Sequence, residues 1–164
     1  MSSTIVSDDI IKRASDWFRA VSGRDSNELT APDGTSSTPK ARVLCVDDNP
    51  AVLRVLERQL ERTYDVMVAE GSDEAIAAIA DQGPFDVIIS DLRMPRVHGL
   101  TFLNRAREIA PETERIILTG LADPATMAVA RSAGGAFKLL TKPCSPADLM
   151  AAIDEAVTRR RARL

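Results

Sequence analysis

Apolar residues along this chain switch repeatedly between two spacings. From Arg42 onward, short β-branched or aliphatic runs alternate with longer stretches in which apolar residues recur every three or four positions. The first pattern suits a strand buried on both faces and the second an amphipathic helix. The runs Val43–Val46, Tyr64–Ala69, Asp86–Ser90, Arg115–Leu118 and Ala136–Leu140 predict five strands. The periodic stretches predict a helix from Pro50 with a stripe of Val52, Leu53, Leu56 and Leu60, then helices over Ser72–Asp81, Leu100–Ile109, Pro124–Ala133 and Pro146–Val157. Asn49-Pro50 opens the first helix, because proline is favoured at the first helical position. Ser72 is the expected N-cap of the second.

Ahead of this alternation the pattern differs. Ile10, Ile11, Ala14, Trp17, Phe18 and Val21 fall on one helical stripe, with Asp9, Lys12, Arg13, Asp16 and Arg19 off it. Gly23 is a plausible stop. Arg24–Lys40 is rich in Ser, Thr, Pro, Asp and Gly and reads as a linker. The expected organisation is an N-terminal amphipathic helix and linker over 1–40, a domain over 41–158, and a basic tail over 159–164. Five strand–helix units with short connections predict an α/β fold, a doubly wound five-stranded parallel sheet with an N-terminal helical extension. In the flavodoxin-like order 2-1-3-4-5, the switch point lies between strands one and three, where such sheets bind ligands.

Composition narrows the function. Of 164 residues, 45% are hydrophobic, enough for a full core, while aromatics at 4% leave the packing to aliphatics. A net charge of −3 argues against nucleic acid. No apolar run reaches membrane-spanning length, and the first residues lack the pattern of a signal peptide. Cys45 and Cys144 lack metal-site spacing and fit a reducing cytoplasm. The expectation is a cytoplasmic protein that binds neither membrane nor nucleic acid.

The candidate chemistry lies at strand ends. Strand one ends in Asp47-Asp48, strand three in Asp91, strand four in Thr119; Lys142-Pro143 follows strand five. Alone, each reads as a solvated loop residue. In a parallel sheet all of them reach one edge. Clustered carboxylates raise one another's pKa values, and a hard divalent cation relieves that. A metal, a lysine, a hydroxyl and one carboxylate left to attack suit a phosphoryl group and an aspartyl phosphate.

The segments CVDDNP, SDLRMP with Gly99, ILTG and LLTKP, in that order on five strand–helix units, resemble the receiver domain of bacterial two-component response regulators (CheY-like). The resemblance covers about Lys40 to Val157. It implies that Asp91 is the phosphoacceptor and that Mg²⁺ is held by Asp47, Asp48, Asp91 and the backbone carbonyl of Arg93. It also implies that Thr119 and Lys142 contact the phosphoryl oxygens, and that the Lys142–Pro143 peptide is cis. The implied partners are a histidine kinase or phosphotransfer protein as donor and a downstream protein as target; a homodimer is left open.

The family usually has Tyr or Phe three residues before the lysine, as an aromatic switch; here that position is Leu139, so the expected switch pair is Thr119 and Leu139. Phe137, two residues earlier, is expected on the same side as Leu139. Cys144 reads as a small packed residue, His98 as a surface residue, and the four terminal arginines as solvated and extending the last helix. The expected function is a stand-alone receiver in a phosphorelay. Alternatives are a phosphorylation-independent interaction module, the receiver part of a longer regulator, and an aspartyl phosphatase. The last needs an acid two residues after its nucleophile, where Arg93 stands.

Overall fold

The computed structural model describes residues 38–94, 99–120, 124–132 and 135–164. The expected N-terminal helix, most of the linker and His98 lie outside them. Five strands, β1 (Arg42–Asp47), β2 (Asp65–Glu70), β3 (Val87–Ser90), β4 (Glu114–Thr119) and β5 (Lys138–Thr141), form one sheet in the order β2-β1-β3-β4-β5. Every pairing is parallel. The doubly wound fold expected from the alternation is therefore present. The helices are α1 (Pro50–Leu60), α2 (Ser72–Gln82), α3 (Gly99–Ile109), α4 (Pro124–Ser132) and α5 (Pro146–Ala162).

Strand alternation splits the core into two layers. Leu44, Val46, Ile88 and Ile117 pack with α2 and α3 through Ile76, Ile79, Phe102 and Leu103. Val43, Cys45, Val87, Ile89, Ile116 and Leu118 pack with α1 and α5 through Leu53, Leu56, Leu149 and Ile153. β3 is buried along its whole length, as expected of a central parallel strand.

Local signals set the helix starts. The Asn49 side chain accepts a hydrogen bond from the Ala51 N–H at 2.9 Å, with Pro50 at the first helical position. Ser145 caps α5 in the same way, accepting from Asp148 N. The expected Ser72 cap is a correction: Gly71 takes the capping position at φ 93°, which suits glycine, and Ser72 is the first, buried residue of α2.

The last helix extends through the terminal arginines as expected, but their burial and pairing are a second difference. α5 continues through Arg159, Arg160 and Arg161 to Ala162. Arg160 is buried and donates to Asp86 Oδ1 at 2.8 Å. Arg159 and Arg163 both pair with buried Glu114 at the start of β4. These arginines fasten the end of α5 to the amino edge of the sheet. The sequence pattern alone gave them no partners, because Asp86 and Glu114 are distant in the chain.

Candidate functional site

The carboxyl edge of the sheet gathers residues from three strands. Asp47 closes β1 and is 3% exposed. Asp91 follows β3, its N–H donating to the Val46 carbonyl of β1 at 3.3 Å. Lys142 follows β5, and its N–H donates to the Thr119 carbonyl at the end of β4 at 2.8 Å. The Lys142–Pro143 peptide is cis, as the resemblance implied.

Lys142 Nζ donates to Asp47 Oδ2 at 3.1 Å and to Asp91 Oδ2 at 3.0 Å. One ammonium thus ties together carboxylates 44 residues apart in the chain. Burial disfavours its charge, but the hydrogen bonds and charges of Asp91 and Asp47 outweigh that, and the Lys142 pKa lies above the ordinary lysine value.

The other carboxylate oxygens are fixed by backbone. Asp47 Oδ1 accepts the Asn49 N–H at 2.9 Å, and Asp91 Oδ1 accepts the Arg93 N–H at 3.0 Å. Both are turns in which an aspartate bonds the amide two residues on. The sequence reading gave Arg93 a role for its carbonyl and overlooked its N–H. An Asp at a strand end with a loop behind it is the signal that could have revealed it.

Asp48 is exposed beside this pair. Desolvation, a hydrogen bond with Asp47 and the negative charge of Asp47 and Asp91 push its carboxyl above the usual range. Three carboxylates against one ammonium leave uncompensated negative charge in an all-oxygen donor set. That chemistry fits a hard divalent cation. Among the described residues, no three acidic, histidine or cysteine side chains stand pre-grouped around a single point; Lys142 lies between Asp47 and Asp91.

Gly99 supports the phosphoacceptor candidate from below. A Cβ there would lie 2.5 Å from the Asp91 carbonyl oxygen and 2.6 Å from Leu92 Cα. Only a residue without a side chain lets α3 begin this close to the loop. Thr119 is 2% exposed at the end of β4, opposite Thr141 in register. Leu139 pairs in register with Ile117 and packs on the α2–α3 layer.

Phe137 is a correction. It packs with the α1–α5 layer, opposite to Leu139, under the Arg159 guanidinium at 4.9 Å. β5 begins only at Lys138, so two-residue alternation does not extend back to Phe137.

Neither thiol is suited to reactivity at neutral pH. Burial and the charge of Glu57 push Cys45 up to about 12. Half-buried Cys144 is raised by burial and by Asp148. In a thiol titration of the native chain, Cys144 will react slowly and Cys45 not at all; both will react in denaturant. Rapid native labelling of Cys45 would contradict this packing.

Residues 43–154 match the family model described as the response regulator receiver domain. The chain is 34% identical over 121 residues to the hydrogenase transcriptional regulatory protein HoxA of Cupriavidus necator, covering 74% of this chain and 25% of that protein. It is 39% identical over 111 residues to the transcriptional regulatory protein TrcR of Mycobacterium tuberculosis, covering 67% of this chain and 42% of that protein. It thus spans less than half the length of either. A response regulator receiver domain protein from Clostridium thermocellum superposes with a TM-score of 0.70 at 32% identity, covering 76% of this chain and 99% of that one.

Proposed function

This chain belongs to the response regulator receiver domain family, and from that premise we propose that it accepts a phosphoryl group on Asp91 and thereby switches its affinity for a protein partner. The observation that carries this reading is the Lys142 ammonium held at hydrogen-bond distance from both Asp47 and Asp91. A carboxylate oxygen of Asp91 attacks the phosphorus of a phosphohistidine on a kinase or phosphotransfer protein through a lone pair its hydrogen bond leaves open. The new O–P bond forms as the P–N bond breaks, and the imidazole leaves with the electron pair. Lys142 stands where it can take up charge on the phosphoryl oxygens, and Thr119 supplies a hydroxyl at the end of the neighbouring strand. The Arg93 and Asn49 amides hold the two carboxylates in orientation before the donor arrives.

Asp47, Asp48, Asp91 and the Arg93 carbonyl would hold Mg²⁺. Bound there, the ion would offset the carboxylate charge that otherwise repels an incoming phosphate. Receiver domains are signalling phosphoacceptors rather than enzymes acting on an external substrate, and the expected turnover is of the domain's own phosphoryl group. No helix among the described residues is long and apolar enough to cross a membrane.

The test is intact-mass measurement after incubation with acetyl phosphate and Mg²⁺. One phosphoryl group should add, and chelator should slow the addition by at least tenfold. A rate unchanged by chelator would remove the metal from the account.

A further inference from the structure

The helix α4 is weakly held by the rest of the fold. Of its described side chains only Ala130 is fully buried, and Met127 is half-buried. Ala125, Ala128 and Val129 face outward, Val129 with 47% of its surface exposed. Beside it β5 is the outermost strand of the sheet, with Leu139 only partly buried on the same layer as Ala130. A helix of nine residues has little stability of its own in water and depends on the burial of an apolar face. This one presents apolar residues on its outer side as well.

We propose that the N-terminal segment Ser7–Ser22 of the same chain packs over this outer face of α4. The segment lies outside the described residues, and its sequence carries the stripe Ile10, Ile11, Ala14, Trp17, Phe18 and Val21. That stripe includes the protein's only tryptophan, in a chain where aromatics are scarce. An apolar stripe of this size needs a surface, and α4 offers one.

The tether permits it. The described chain starts at Thr38, directly before β1, with Lys40 Nζ donating to the Glu61 carbonyl beyond α1. It therefore enters at the amino edge of the sheet. α4 runs from the carboxyl edge back toward that same edge, so Val129, in its second half, lies toward the tether. Three strand spacings, about 15 Å, separate β1 from β5, and α4 lies on the face away from Lys40 and α1. The path is longer than this but within the roughly 50 Å that the extended stretch Gly23–Ser37 can span. The stretch from Gly23 to Ser37 has a linker's composition, and a coil of that length spans roughly 20 Å. A short tether gives an effective concentration in the millimolar range, so a weak contact suffices. The other large apolar groups exposed among the described residues are Val55 and Leu164. Val55 stands between Arg54 and exposed Arg58, a single apolar residue of an ordinary kind.

Trp17 fluorescence in the full chain tests this. Emission should lie to the blue of a solvated indole, with acrylamide quenching severalfold weaker than for free tryptophan. Val129→Glu and Ala128→Glu change exposed positions and leave the core intact, which a far-UV spectrum will verify. Each should shift the emission to the red and raise quenching severalfold. Val55→Glu should do neither. Three results would overturn the proposal: a solvated Trp17 in the parent chain, protection insensitive to both α4 variants, or protection that rises with protein concentration. The last would place the segment on a second copy. None of these readouts depends on phosphorylation of Asp91.

Discussion

Asp91→Asn will take up no phosphoryl group from acetyl phosphate, while the parent chain takes up one. The amide keeps the shape of the carboxylate, and its oxygen can still accept one of the two hydrogen bonds that Asp91 accepts from Arg93 N–H and Lys142 Nζ. The other is lost, at a cost of about 1 kcal/mol. The variant should therefore remain folded, with a far-UV spectrum like the parent's. What disappears is the anionic oxygen that attacks phosphorus. Asp47 is the less accessible of the two: its side chain is 5% exposed against 13% for Asp91, so a phosphodonor does not reach it as readily. Full labelling of Asp91→Asn would show that another group is the acceptor.

Phe102→Ala should destabilise the domain by about 3–5 kcal/mol. Phe102 is fully buried on α3, in the layer with Leu92, Met94 and Leu103. Removing its ring strips apolar contact and leaves a cavity that rigid neighbours on β3 and β4 cannot close. With total stability for such a domain at about 5–15 kcal/mol, this is a large share. Chemical denaturation should show a lower midpoint with little change in slope. In the folded variant, phosphoryl uptake should persist, since Phe102 belongs to the apolar layer and supplies no polar group to the site. A loss below about 1 kcal/mol would mean the site collapses without a cavity.

The sheet order was legible because strictly alternating strands and helices with short connections leave few topologies open. The meeting of Asp47, Asp91 and Lys142 followed from that order: all three lie at carboxyl ends of parallel strands. Details set by tertiary packing were not legible. The burial of Arg160 depends on Asp86, 74 residues away, which no local pattern reports. Phe137 was placed by strand alternation one residue before the strand starts, and its side is decided by α5 and Arg159. Ser72 looked like a cap by residue type, but the chain turns at Gly71 with a positive φ. In each case a local rule was applied at an element's boundary, where packing decides.

The central claim is that Asp91 carries the phosphoryl group. Borohydride reduces an aspartyl phosphate to homoserine, and peptide mass spectrometry then locates the converted residue. After incubation with acetyl phosphate and Mg²⁺, the account predicts homoserine at position 91 and at no other aspartate. Conversion at Asp47 or Asp48, or a stable phosphate on Ser90 or Thr119 with Asp91 unchanged, would contradict it.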